Sequence, residues 1–229
     1  MKLLIPAVLL VVSAATASAQ VGYTPEKSPY RDLDKSQSWS LLYGHYTGRP
    51  DAAGVAPSGG SMLGLLYEWH AGGPIYLTGA LSRVDGQREV LDPYQTAPKR
   101  TLGMAYWPLW ALDGGMSVSL TGDRTWHDIM PLAKFGLGIM SDRHTRGDVG
   151  DYMFGTRFSF TWGAAVRWIP TERWAVRADL TNYFMSMSYP QTYYLVAKDS
   201  TSILKPNQSK SFWRNNPAIT IGLSYLYSH

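Results

Sequence analysis

The residues of this chain whose type could support catalysis are its five histidines, His45, His70, His127, His144 and His229. His45-Tyr46-Thr47 places an imidazole two residues from a hydroxyl, a spacing at which histidine could activate an oxygen nucleophile against a lipid ester. Threonine stands there in place of serine, and no acid nearby in sequence orients the ring. His127-Asp128 falls in a stretch of turn character and reads as a solvated pair. The chain has no cysteine, and no His/Asp/Glu set has metal-ligand spacing. Gly72-Gly73 and Gly114-Gly115 are turn glycines, because no phosphate-loop lysine and helix follow them. These residues predict neither an enzyme nor a bound cofactor or metal.

The charged residues make more sense as a set, once the elements that carry them are considered. Successive side chains of a strand point to opposite faces, so period-two alternation marks a half-polar strand. From Phe158 to Trp168, Phe158, Phe160, Trp162, Ala164, Val166 and Trp168 share one face, with Arg157, Ser159, Thr161, Gly163, Ala165 and Arg167 opposite. After the short turn Ile169–Arg173, Trp174, Val176, Ala178 and Leu180 alternate with Ala175, Arg177, Asp179 and Thr181. The last strand puts Ile219, Ile221, Leu223, Tyr225 and Tyr227 opposite Thr220, Gly222 and Ser224. Looser alternation covers 39–47, 62–69, 75–82, 116–121 and 132–140. That makes eight strands. A ninth candidate, Thr101–Trp107, is expected to join Met116–Thr121 across Pro108 or to fold into a loop; ten strands follow if Tyr193–Ala197 also pairs.

Connection lengths alternate. Ala71–Pro74 and Ile169–Arg173 are tight, whereas 48–60, 84–100, 141–152 and 188–216 are long and rich in Gly, Pro, Asp, Ser and Lys. An all-β, antiparallel, up-and-down barrel with short turns at one end and long loops at the other accounts for this.

Period two alone leaves open which face is outside. A soluble lipocalin-like barrel would enclose Phe158, Trp162 and Trp168 around a ligand, and its outer wall would then be mostly Ser, Thr, Gly and Ala, poorly suited to solubility. The reverse orientation puts Glu68, Lys134, Arg157, Arg167, Arg177 and Asp179 in the lumen as a charge network. It puts Trp168, Trp174, Tyr225 and Tyr227 on the outer wall as an aromatic girdle. An arginine turned to lipid instead costs up to about 2–4 kcal/mol at mid-depth.

Bulk properties agree with the membrane orientation. Charged residues are 17% of the chain, against about 25% in ordinary soluble domains. The net charge of +4 is scattered singly, without the Lys/Arg runs of a nucleic-acid partner. Lys2, the apolar stretch Leu3–Val12 and Ala17-Ser18-Ala19 predict a cleaved signal peptide over residues 1–19. Residues 20–37 then form an extended polar lead-in, and residues 38–229 one barrel domain.

The C-terminal run Thr220-Ile221-Gly222-Leu223-Ser224-Tyr225-Leu226-Tyr227 resembles the signal by which the outer-membrane assembly machinery recognises its substrates, with Thr220, Gly222, Tyr225 and Tyr227 at the matching positions; Ser228 and His229 follow where many such chains end. Pro131 and Gly136-Leu137-Gly138 after Thr121–His127 resemble a turn-and-strand segment common in small barrels. The mature chain thus resembles the small OmpA/OmpX/OmpW-like outer-membrane barrels. That resemblance implies an integral outer-membrane location in a diderm bacterium, contact with outer-membrane lipid and lipopolysaccharide, and an encounter with the assembly machinery during biogenesis. The expected function is non-enzymatic: a structural or surface-contact barrel with a polar lumen filled by side chains. A narrow channel for small or apolar solutes, a lipid hydrolase built on His45 and the soluble ligand-binding barrel are the alternatives.

Overall fold

The computed structural model describes residues 28–144 and 146–228; the expected signal peptide and the start of the lead-in lie outside them. Ten strands follow one another: β1 (Tyr30–Asp32), β2 (Gln37–Tyr46), β3 (Gly60–Gly72), β4 (Ile75–Leu91), β5 (Thr101–Ser119), β6 (Arg124–Trp126), β7 (Ile129–Ser141), β8 (Thr156–Trp168), β9 (Trp174–Ser188) and β10 (Ser211–Tyr227). Eight of them, all but β1 and β6, form a ring in which each pairs antiparallel with its two neighbours. The seam is β10 against β2, in register from Ala218↔Tyr46 to Tyr227↔Gln37. Closure gives every ring strand two partners, and beyond Asp85 and Trp110 the ends of β4 and β5 pair only with each other.

The eight expected strands are present, and Thr101–Trp107 joins the following segment as one strand that passes through Pro108 unbroken. Residues Gln191–Tyr194 form a single 3-10 turn, so the ten-stranded ring is excluded. Two expected loops shrink. Strand β4 continues to Leu91 and β10 begins at Ser211, leaving connections L1 (47–59), L2 (92–100), L3 (142–155) and L4 (189–210) at one end. The β4–β5 hairpin rises beyond the apolar band, where its outward residues Arg83, Asp85 and Gln87 are polar and hide the alternation. Backbone pairing itself continues there, from Asp85↔Pro108 to Leu91↔Thr101.

The other end is tight. Gly73-Pro74 joins β3 to β4, with Gly72 and Gly73 at positive φ (128° and 54°). His127 and Asp128, at φ 49° and 62°, make a two-residue hairpin between the paired Trp126 and Ile129, which is the backbone of a type I′ turn. Part of the lead-in is ordered here: β1 pairs with β6, and Leu33 packs under the barrel against Ile169, Ala175 and Leu226.

The core of the fold is the lumen. Trp162 and Val166 are 51% and 46% exposed on the outer wall, whereas Arg167, Arg177 and Asp179 are buried within. The soluble orientation, with Phe158, Trp162 and Trp168 enclosed, is thereby overturned.

Candidate functional site: the two-tiered lumen

The lower half of the lumen, nearer the tight turns, holds a chain of charges. Inward positions on β3, β7, β8 and β9 converge there because alternation continues unbroken through all four strands. Glu68 Oε2 accepts from Arg167 Nη2 and from Arg177 Nη1 at 2.6 Å. Arg177 also grips Asp179 with two bonds, Nε to Oδ2 at 2.6 Å and Nη2 to Oδ1 at 2.8 Å. Lys134 Nζ completes the chain, donating to Asp179 Oδ1 at 2.6 Å and to Thr181 Oγ1 at 3.1 Å. Ser38 Oγ reaches Glu68 Oε2 at 3.3 Å. Three cations meet two carboxylates in a space too small for bulk water, and a third carboxyl, Asp113, lines the same void as Lys134. Glu68 Oε1, Arg167 Nε and the nearby Asp113 Oδ1 are buried without a hydrogen-bond partner.

Arg157 does not join this cluster. It occupies the first inward position of β8 at the loop end, ten residues and about 33 Å of strand from Arg167. There its Nε donates to the Phe154 carbonyl at 2.7 Å and its Nη2 to Ser188 Oγ at 3.1 Å. It pins the base of L3 instead.

The upper half is apolar, contrary to a lumen polar throughout. Tyr46, Met62, Val84, Trp107, Leu109, Met140, Tyr183, Met185 and Met187 line it, and the loops send Val55, Tyr152, Phe154, Tyr193 and Leu204 into the same cluster. One ion pair crosses it. Arg88, fully buried, meets Asp148 Oδ2 at 2.6 Å and lies between the rings of Trp107 at 4.1 Å and Tyr152 at 4.8 Å. Asp148 Oδ1 in turn accepts the backbone N–H of Gly150 and of Tyr152, so L3 is folded over the mouth by a side chain of β4. Between the tiers a void of about 50 Å³ remains, lined by Thr78, Asp113, Lys134, Thr161, Thr181 and Tyr183 among others.

The histidines are dispersed. The side chain of His45 is exposed at the top of β2 and has no hydrogen-bond or ion-pair partner among the described residues, so the fold supplies the hydrolase reading with no orienting acid. His70 binds the Gly73 carbonyl and stacks on Tyr76. Asp128 pairs with Arg31 at 3.0 Å while His127 packs edge-on against Trp126. The sequence also contains an Asp-x-Asp, Asp32-Leu33-Asp34, and an Asp-x-His, Asp142-Arg143-His144, which together could activate a water molecule. They lie at opposite ends of the barrel, in and after β1 and in L3. Among the described residues no three His, Asp or Glu side chains gather as for a metal.

The outer wall supplies the deciding observation. Along β10 the outward positions run from Tyr225, packed on Trp174 at 5.1 Å, through Leu223, Ile221, Ile219, Pro217 and Asn215, the last paired with Asn182 at 2.7 Å, to Trp213, packed on Phe184 at 4.9 Å. Twelve residues separate these two aromatic levels. At about 3.3 Å per residue and a tilt of about 40°, that is about 30 Å, the thickness of a bilayer's hydrocarbon. An outward apolar band, tallest and aromatic at both ends on β8, β9 and β10 and ending lower, at Leu81, on β4, runs round an even-stranded closed ring with tight turns below and long loops above. The chain is an outer-membrane β-barrel.

No family model matches the barrel, and no curated protein matches it in sequence. Among solved structures it is similar to Neisserial surface protein A, at 9% identity over 87% of this chain and 98% of that one, TM-score 0.48. It is also similar to OprG from Pseudomonas aeruginosa (8%, 89% and 100%, TM-score 0.49) and to the N-terminal barrel domain of OprF from the same organism (12%, 84% and 98%, TM-score 0.44). At these values no role is carried across, and the fold rests on the strand pairing itself.

The residues of the C-terminal motif take distinct places in the barrel. Thr220 and Gly222 face inward and Tyr225 outward, with Tyr227 stacked beyond it. A Cβ at Gly222 would stand 2.3 Å from the Leu41 carbonyl oxygen, so the seam with β2 closes only over a bare backbone. Trp168 and Trp174 sit on the same lower rim of the outer wall.

The sequence reading missed Arg88, Asp148, Trp107 and Tyr152. A signal was available: Val84 and Arg88 keep the inward parity of Tyr76 and Ser82, beyond the point where the apolar outward stripe ends.

Proposed function

We propose that this protein is a closed, non-enzymatic outer-membrane barrel that serves the envelope through its external face and not through its lumen. The observation that carries this reading is the double closure. Charged side chains seal the lower half, loop and strand aromatics seal the upper half, and the void between them, about 50 Å³, holds a few water molecules and no continuous path. An eight-stranded ring is just wide enough for side chains to fill, and here all eight ring strands and three loops contribute to the filling. Catalysis has little support, since no described histidine meets a hydroxyl nucleophile and an acid together. The surface offered to the outside is L1–L4 and the protruding β4–β5 hairpin, the candidate site of structural or adhesive contact.

Planar-bilayer recording of the purified full chain tests the reading. The expected trace lacks steady openings; a stable, single-sized conductance in most insertions would overturn it and favour the narrow channel.

A further inference from the structure

Residues 28–36 cross the mouth at the tight-turn end, the periplasmic end of such a barrel, and several sides of that mouth hold them. On the β6 side, β1 pairs from Tyr30↔Trp126 to Asp32↔Arg124. Asp32 Oδ1 accepts from Arg124 Nε at 2.7 Å, and the Leu33 N–H donates to the Asp123 carbonyl at 3.2 Å. Arg31 pairs with Asp128 at 3.0 Å and donates to the Ile169 carbonyl at the end of β8. Further along, the Asp34 carbonyl accepts from Ser228 Oγ at 2.9 Å, and the Ser36 carbonyl accepts from the His70 N–H at 2.7 Å. The segment is thus tied to the ends of β3, β6, β8 and β10 before β2 begins.

Above it lies the charge cluster of the lower lumen. Lys35, Ser36 and Gln37 border a seam beneath Glu68, Tyr76 and Arg167 that is too narrow to admit a water molecule. Leu33 packs upward against Tyr76 and Ala165 on one side and against Ile169, Ala175 and Leu226 on the other. Among the described residues, Glu68 Oε1 and Arg167 Nε are buried without a hydrogen-bond partner. Water entering from below would find one free acceptor and one free donor. An ion pair opened to water loses most of its attraction, so the strength of the lower seal depends on what covers it.

The ties are those of a piece that can lift. Both ion pairs of the segment are exposed, and pairs of that kind contribute little. Strand β1 pairs with β6 over three residues, against ten at the seam of β10 with β2. The ring begins at Gln37, so the segment can leave while every ring strand keeps both partners. Segments with few buried apolar contacts open locally long before the whole fold does.

We propose that residues 28–36 are a periplasmic latch: seated, they keep water from the Glu68–Arg167–Arg177 cluster, and lifted, they admit it and loosen the lower seal. The latch rests on the reading of a closed lumen, and the planar-bilayer record of the unaltered chain decides that reading by itself.

The chain has no cysteine, so a single introduced thiol reports on one place. Ser38→Cys stands at the seam beside Glu68, and Ala111→Cys stands in the apolar upper tier. Each is placed in the full chain, folded in neutral detergent and reacted with a small sulfonated methanethiosulfonate. With the latch unaltered, both thiols should react slowly. Leu33→Asp should speed reaction at Ser38→Cys by at least about tenfold, the rise in open population expected when a half-buried leucine loses its packing. It should leave Ala111→Cys slow, and Leu33→Met, which keeps the apolar foot, should leave both slow. Heat-modifiable gel mobility establishes that each ring has closed. If Leu33→Asp fails to close, Arg31→Gln/Asp32→Asn removes both exposed pairs, and the expected rise is at least about threefold. An unchanged rate at Ser38→Cys in a closed latch variant would overturn the proposal while leaving the closed lumen intact. Equal acceleration at both thiols would overturn it too, because the barrel would then have loosened as a whole. Fast reaction at Ser38→Cys with the latch unaltered would show that residues 28–36 keep nothing out.

Discussion

Glu68→Gln is the most informative single change in this barrel. The side chain is 1% exposed, and among the described residues its Oε2 is the only acid partner of Arg167 and one of two for Arg177. The amide keeps the volume but removes a charge, so the cluster passes from three cations and two acids to three and one. Removing one member of a buried ion pair and leaving the other costs about 3–5 kcal/mol. Arg177 keeps its bidentate hold on Asp179, which places the expected loss toward the lower end, about 3 kcal/mol or a factor of about 150 in the folding equilibrium. Urea unfolding in lipid vesicles, followed by tryptophan fluorescence and by gel mobility, measures it. The double variant Glu68→Gln/Arg167→Met restores the original charge balance and fills the space with an apolar chain. It should recover more than half of the loss, since replacing both partners of a buried pair is often close to neutral. A single variant within about 0.5 kcal/mol of the unaltered chain, the scale of an ordinary surface substitution, would refute the argument. A double variant no better than the single would refute it equally.

Gly222→Val should obstruct the seam, since any Cβ there meets the Leu41 carbonyl. Overpacking of this kind costs about 1–3 kcal/mol, and the checking measurement is a rise in the unclosed fraction on unheated gels. The link between L2 and L4 should be acid-labile. Asp199 accepts the Ala97 N–H at 2.8 Å, and that bond, followed by the Thr201 hydroxyl, holds its carboxyl below the usual aspartate range. A depressed folded-state value means that the contribution is complete above the ordinary aspartate range and disappears as pH falls through the lower, folded-state value. Amide exchange at Ala97 should therefore lose protection only in strong acid, and Asp199→Asn should abolish the pH dependence.

Much of the barrel was legible in the sequence because the membrane enforces a simple rule. Between Trp174 and Leu180, or Ile219 and Tyr225, every second residue must suit lipid, and the pattern prints itself on the chain. The charges of Glu68, Lys134, Arg167, Arg177 and Asp179 could be assigned to the interior by parity alone. Which of them touch could not, because contact depends on the stagger between strands, and Arg157 shares their parity while sitting a bilayer's thickness away. The strand ends were harder to read. Above the acyl region water accepts polar and apolar side chains alike, so Gln87 and Glu89 look like loop although they are paired. The upper tier was invisible for a related reason: Tyr152, Phe154 and Tyr193 lie in segments whose Gly, Pro and Asp content signals exposure, and only the folded chain shows them turned inward.

Because Val55, Phe154, Tyr193 and Leu204 belong to the interior, the loops of this barrel are not free to drift as surface loops usually are. Substitution should concentrate on exposed tips such as Tyr94, Val196 and Lys205, which can change without disturbing the packing beneath. A lineage of such barrels would then vary in small islands set in a fixed frame, and a binder raised against the frame would be harder to escape than one raised against the tips.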